Sequence, residues 1–299
     1  MNNEIYLFDV QELTTFLSTI IKQYTDIDTY LWLEEKTGLV KSENNAAQLN
    51  LSFAAISRKT GRKIITVNAD QKKQINFILP GFSISDWPLY RLCRVWILLH
   101  VNACEKEKYC NKIESLFKNP EMNELVDLYA AFPVFAYSRE WVKRCAEGVR
   151  SNIGIVLEAI MYDNPYASKF LDETAWNQLV LKAFFTDKDV NRIIGLDDRA
   201  NPQLASTLID YAHERWAAKR PVNIQLWRLV GKFIDETNFS DIQKIFTSGD
   251  INSRKAAALA CSQSEYKPAK NLLDTAPEFK NEIIDNKLNW INLNSEIKS

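Results

Sequence analysis

Apolar residues recur along this chain at intervals of three and four, the spacing that puts them on one face of an α-helix. Leu13, Phe16, Leu17, Ile20 and Ile21 form the first such stripe, ended by Tyr24-Thr25-Asp26. A second helix is predicted from about Asp28, stopping at Gly38, and a third over Ala46, Leu49, Phe53 and Ile56, ending before Gly61. Ile64–Val67 is β-branched enough for a short strand but has no partner strand in view, so a loop is expected there. That loop leads into a helix capped near Asn68 or Asp70. Pro80-Gly81 breaks the chain before a helix of Leu89, Leu92, Val95, Trp96 and Leu99.

Short helices follow over Cys110–Phe117 and Leu125–Tyr129. Ser138 is placed as the N-cap of a long helix whose stripe runs Val142, Cys145, Val149, Ile153, Val156 and Ile160. Gly148 and Gly154 would lie inside it, and a close helix crossing is the expected reason. Asp172 opens a helix carrying Trp176, Leu179, Val180, Ala183 and Phe184. After a polar loop from Gly195 to Pro202, Leu204, Leu208, Ala212 and Trp216 mark the next, with Asn201 as N-cap and Pro202 at the first helical position. Beyond these come short helices with short connections, and Leu288–Ile291 as an apolar cluster near the end.

The expectation is an all-α fold, an irregular HEAT-like α-solenoid of helical hairpins, although no repeat holds a fixed period. It is read as one domain over 1–299, with an N-terminal helical part (1–125), a solenoid-like core (126–275) and a C-terminal cap (276–299).

Composition narrows the function by exclusion. With 37 Lys+Arg against 38 Asp+Glu, the formal net charge is −1, so no global pull toward nucleic acid or anionic membrane exists. Five cysteines without a Cys-x-x-Cys pair give neither a disulfide framework nor a zinc knuckle and suit a reducing, cytoplasmic setting. The start Met-Asn-Asn-Glu-Ile-Tyr lacks the features of a secretory signal. The most membrane-like stretch, Trp87–Ala103, is interrupted by Arg91 and Arg94, so no membrane insertion is expected.

The candidate chemistry gathers between Trp176 and Arg228. His213-Glu214 begins like the zinc motif His-Glu-x-x-His, but Ala217 stands where the second histidine belongs, and no metal is expected. Asp210, His213 and Glu214 share one helix face opposite Leu204, Leu208 and Ala212. The loop adds Asp197, Asp198, Arg199 and Asn201, the helix before it Asn177, Gln178 and Lys182, and the helix before that Glu147, Ser151 and Glu158. No nucleophile elbow and no glycine-rich phosphate loop is present, so no nucleotide or other cofactor is expected.

The words Trp176-Asn177-Gln178-Leu179-Val180-Leu181-Lys182-Ala183, Gly195-Leu196-Asp197 with Arg199-Ala200-Asn201-Pro202, and Asp210-Tyr211-Ala212-His213-Glu214-Arg215-Trp216-Ala217 resemble the EboA family of bacterial metabolite-traffic proteins. Glu147–Asn152 and Asn164-Pro165-Tyr166 agree with it, Ser57-Arg58 and Trp87 more weakly. The resemblance implies a component of a bacterial gene cluster that moves secondary-metabolite precursors out of the cytoplasm, with a membrane prenyltransferase-like protein among its neighbours. It carries no catalytic residues.

The lead expectation is a non-catalytic binding or scaffolding protein. It would hold a metabolite precursor or a partner protein of the cluster through Asn177, Lys182, Asp197, Arg199, His213 and Glu214. Lys182 and Arg199 would meet an anionic group, and His213 and Glu214 would orient it. Two alternatives stand beside it. One is an enzyme acting on the same metabolite, with His213 or Glu214 as acid–base. The other is a purely structural solenoid in which these groups pair with one another. An enzyme requires them to converge on one concave pocket; an adaptor permits an open face.

Overall fold

A computed structural model of the protein describes residues 5–42 and 46–293. Met1–Glu4, part of the stretch on which the absence of a secretory signal was read, lie outside the described residues, as does the chain after Leu293, the last part of the expected cap. The fold is all-α, as the periodicity predicts. An isolated bridge pairs Ile64 with Pro88, and no strand is formed among the described residues. None of the described helices is long and apolar enough to cross a membrane. The chain divides into two compact units, residues 1–175 and 176–299.

Unit 1 contains α1 (Val10–Tyr24), α2 (Ile27–Ser42), α3 (Ala46–Thr60), α4 (Ala69–Ile78), α5 (Leu89–Leu98), α6 (Lys106–Leu116), α7 (Met122–Ala130), α8 (Val142–Arg150), α9 (Gly154–Met161) and α10 (Tyr166–Phe170). The organising element is α5. Every residue in it except Arg91 is buried, because α1, α2, α3 and α7 all pack on it. A helix that is apolar on all sides belongs in a core of this kind. The stretch that looked most membrane-like is therefore the centre of the unit.

Local signals place many of the ends. Asn68 caps α4 and makes a reciprocal capping box with Gln71. Two boundaries differ from the sequence expectation. α2 runs through Gly38 to Ser42; a Cβ at Gly38 would meet nothing within 4 Å, so that glycine serves no turn. The long helix from Ser138 is broken. A 3-10 turn over Ser138–Trp141 enters α8, the chain leaves the helix at Ser151, and α9 starts at Gly154, where Ile153 N donates to Ser151 Oγ at 3.1 Å. Gly154 thus opens a helix rather than lying inside one. Gly148 does mark a close crossing: a Cβ there would sit 2.4 Å from Tyr129 Cε1 and 2.6 Å from Ile160 Cδ1.

Unit 2 takes in α11 (Glu173–Phe185) from Trp176 onward, then α12 (Pro202–Ala217), α13 (Trp227–Val230), α14 (Phe239–Phe246), α15 (Ile251–Gln263), α16 (Lys267–Asp274) and α17 (Pro277–Ile284). Its central helix is α15, buried continuously from Ala256 to Cys261 and packed by α13, α14, α16 and α17. The alanines let backbones approach: a Cβ on Gly231 would lie 2.9 Å from the Ala260 carbonyl oxygen. Leu288, Trp290 and Leu293 are buried, and Gln225 Nε2 donates to the Trp290 carbonyl at 2.9 Å.

Candidate functional site

Asn201 organises the polar loop. Its Oδ1 accepts from Leu204 N at 2.8 Å, the N-cap bond of α12 that Asn-Pro announces. Its Nδ2 donates to the Arg199 carbonyl at 3.1 Å and to Asn177 Oδ1 at 2.9 Å, and Asn177 Nδ2 returns a bond to Asn201 Oδ1 at 3.2 Å. Asn177 therefore ties α11 to the start of α12. Arg199 lies over the fully buried Trp176 ring, 4.8 Å from its centroid, a cation–π contact that holds the guanidinium against the loop. Asp197 receives both arms of Arg228, with Nε to Oδ1 at 2.5 Å and Nη2 to Oδ2, while Arg228 Nη1 donates to Asn191 Oδ1 at 2.9 Å. Lys182, on α11, has its amine pKa pushed below the ordinary lysine value by partial burial.

The outer face of α12 is different in character. Asp210, His213 and Glu214 are exposed there while Leu204, Leu208 and Ala212 are buried, as the spacing predicts. His213 Nε2 lies 2.8 Å from Asp241 Oδ2 of α14. Trp216, one turn on, stacks on Trp227 with centroids 5.8 Å apart and planes at 22°. Lys244 Nζ stands 3.7 Å from the Trp216 ring centroid, and the His213 ring is 5.8 Å away. The face thus presents an imidazole held by a carboxylate beside an indole that carries an ammonium. Asp241 and Lys244 are one turn apart on α14, whose Ile242, Ile245 and Phe246 supply the buried stripe. Nothing local in the sequence pairs Asp241 with a histidine 28 residues earlier.

The six candidates therefore separate. Asn177, Asp197 and Arg199 are engaged in holding the loop, Lys182 is half-buried on α11, and His213 and Glu214 look outward from α12. A cavity of about 380 Å3 in unit 2 is lined by residues 187–191, Arg215 and residues 221–225, none of the six.

Sequence reasoning treated Arg91 and Arg94 of unit 1 only as interruptions of an apolar run. They are the donors of a buried charge network. Arg94 Nη1 donates to Asp127 Oδ2 at 2.8 Å and Arg91 Nε to Asp127 Oδ1 at 2.7 Å, both carboxylate oxygens being claimed. Arg94 Nε donates to the Phe53 carbonyl at 3.0 Å, and Nη2 lies 3.4 Å from both Ser57 Oγ and Glu124 Oε1. Phe53 and Tyr90 pack against the Arg94 guanidinium. Burial pushes the Asp127 carboxyl upward, opposed by the two guanidiniums. With two cations facing two carboxylates, the network is internally neutral.

Among the described residues no group of three or more His, Cys, Asp or Glu side chains is placed to hold a metal ion. Cys93, Cys145 and Cys261 are buried, with thiols pushed up by burial and so not thiolates at neutral pH.

The sequence profile of a family described as "Metabolite traffic protein EboA" matches residues 13–231. The match contains all six candidates and Arg228, and it ends at the glycine that packs on α15. No curated protein and no solved structure matches the chain.

Proposed function

Because the chain belongs to the EboA family of metabolite traffic proteins, we propose that it serves secondary-metabolite traffic as a cytoplasmic, non-catalytic adaptor. The exposed face of α12 and α14 around His213, Glu214 and Trp216 docks a partner protein encoded with it, the membrane prenyltransferase-like neighbour being one candidate. The observation that carries this reading is the divergence of the polar groups. Small-molecule and catalytic sites gather their polar groups in a concavity, whereas here three of the six candidates hold a loop, Lys182 is half-buried on α11, and only His213 and Glu214 lie on an open surface. An indole flanked by charge and hydrogen-bonding groups suits a protein contact, since tryptophan anchors are enriched where interfaces bind most strongly.

The test is co-purification of the full chain with each protein of its gene cluster. One cluster protein should be retained by the wild-type chain and lost by the double variant His213→Ala, Trp216→Ala, with the helical circular dichroism unchanged. Retention of none, or retention that ignores the double variant, ends the proposal.

One contact favours a second reading. A histidine held by an aspartate at 2.8 Å is the orienting half of a general-base pair. An enzyme built on it loses metabolite conversion, followed by mass spectrometry, in both His213→Ala and Asp241→Asn, while partner retention by Asp241→Asn persists.

A further inference from the structure

Residues 58–78, which are the end of α3, the loop after it and α4, hold six cations against one carboxylate, Asp70. The whole chain has a formal net charge of −1, so this stretch, with its surplus of five, is an island of positive charge on an otherwise negative molecule. Arg58, Lys59, Arg62, Lys63, Lys72 and Lys73 are all exposed. The last turn of a helix favours cations, which accounts for Arg58 and Lys59 of α3 and for none of the other four.

The end of α1 draws the stretch together. Tyr24 Oη accepts from Thr66 N at 2.7 Å and donates to the Thr66 carbonyl at 3.0 Å. Lys63 Nζ lies 5.0 Å from the Tyr24 ring centroid, and Gln71 Nε2 is 3.4 Å from Gln23 Oε1. Three carboxylates stand in or beside this surface. Asp26 is in electrostatic contact with Lys59, Asp70 is 3.8 Å from Lys73 Nζ, and Asp86 precedes Trp87, whose carbonyl accepts from Ile65 N. Three cations remain in surplus after all of them are counted.

Two large apolar side chains project from the basic surface. Ile64, 53% exposed, follows Lys63 in the loop. Phe77, 80% exposed, lies one turn after Lys73 on the side of α4 opposite the buried Ile75 and Ile78. Cations interspersed with apolar side chains suit the boundary of an anionic bilayer, where the charges meet headgroups and the apolar groups reach the acyl chains.

We propose that the α3–α4 surface binds peripherally to an anionic lipid bilayer, its cations on the headgroups and Ile64 and Phe77 at the acyl boundary. Nucleic acid would meet the cations and could stack a base on Phe77, but Ile64 has no ring to stack and would stay in water. Protein partners bind most strongly where apolar anchors gather in one desolvated pocket. Ile64 and Phe77 stand on different elements, and a fluid bilayer takes in each separately. The proposal lies wholly in unit 1, goes beyond the adaptor reading and does not rest on it.

The experiment sediments full-length protein with vesicles of phosphatidylcholine alone and with vesicles in which phosphatidylserine is about a third of the lipid. The protein should pellet with the anionic vesicles, stay in solution with the neutral ones, and lose binding as salt is raised. Each basic residue near an anionic leaflet is worth about fivefold in partitioning, so the triple variant Arg62→Gln, Lys72→Gln, Lys73→Gln should bind about a hundredfold more weakly. Phe77→Ser reads the apolar part. It should weaken vesicle binding by about threefold or more and leave any binding to polyglutamate or single-stranded DNA unchanged. All four positions are exposed, so the circular dichroism of the variants should match that of the wild type. The proposal is overturned if anionic vesicles do not pellet the protein, if neutral ones pellet it equally well, if the triple variant binds like the wild type, or if Phe77→Ser leaves vesicle binding untouched. That last result, with polyglutamate or DNA bound more tightly than the vesicles, would assign the surface to an acidic protein or a nucleic acid instead.

Discussion

Arg94 of unit 1 and Arg228 of unit 2 each grip an aspartate with help from neighbouring polar groups, and Arg228 is itself only 13% exposed, so the two pairs differ chiefly in the solvent exposure of the aspartate. Arg94 and Asp127 are 1% and 0% exposed, whereas Asp197, the partner of Arg228, is 45% exposed. Each unit also has one histidine: His100 is largely buried with Nε2 unpaired, and His213 stands outward against Asp241. The comparison separates charge that the core cannot do without from charge displayed at a surface. A buried ion costs several kcal/mol to desolvate, so its partners are obligatory. At an exposed pair, water replaces whatever partner is lost.

The largest break in the comparison comes at Asp127. Asp127→Asn removes the charge that neutralises Arg94 and Arg91 while leaving the volume, so Arg94 is left buried and under-compensated. Loss of about 3–5 kcal/mol is expected, read as a shift in the urea midpoint of full-length protein. Replacing both members, Arg94→Met with Asp127→Leu, should recover much of that loss, because two apolar side chains of similar size need no desolvation. A double variant as unstable as the single would show that the Phe53 carbonyl and Ser57 contacts, rather than charge balance, fix the centre of unit 1.

The difference between the two regions also explains what was legible in the sequence. Periodicity and caps are local, so the all-α class, the Asn68 and Asn201 helix starts and the outward face of α12 could be read directly. The break at Ser151–Ile153 could not, because the apolar positions Val149, Ile153 and Val156 keep helical spacing across it. Asp127 gave no signal at all. It reaches Arg94 over 33 residues of chain, and an arginine in an apolar run reads as an interruption until its partner is seen. Among the candidates, Asn177, Asp197 and Arg199 read as chemistry, yet three-dimensional pairing gives them work in holding α11, the loop and α12 together.

A smaller effect is expected from pH, and it falls on one histidine. The folded pKa of His100 is depressed to about 4 from 6.5 by burial and then Lys41, so the unfolded chain takes up the proton first as pH falls. The stability tied to neutral His100 is complete above about pH 6.5 and is lost as pH drops toward about 4. About 2 kcal/mol is expected across that window once part exposure of the ring is allowed for. The measurement is the difference in unfolding free energy between wild type and His100→Phe at pH 7 and pH 4.5. The variant should lose less stability on acidification than the wild type. Parallel pH profiles would place the His100 ring in contact with water and weaken the contrast with His213.

The smallest effect belongs to the pair that looks most like Arg94–Asp127 on paper. Asp197→Asn removes a bidentate partner from Arg228, but Asp197 is half in solvent and Arg228 keeps its bond to Asn191 Oδ1 at 2.9 Å. Water reaches the vacated side of the guanidinium, so the loss should stay near 1 kcal/mol or below and shrink further in added salt. Thermal unfolding at two ionic strengths reads both. A loss as large as that of Asp127→Asn, and insensitive to salt, would mean that Arg228 behaves as a buried ion. The polar loop between α11 and α12 would then be part of the core of unit 2 rather than its surface.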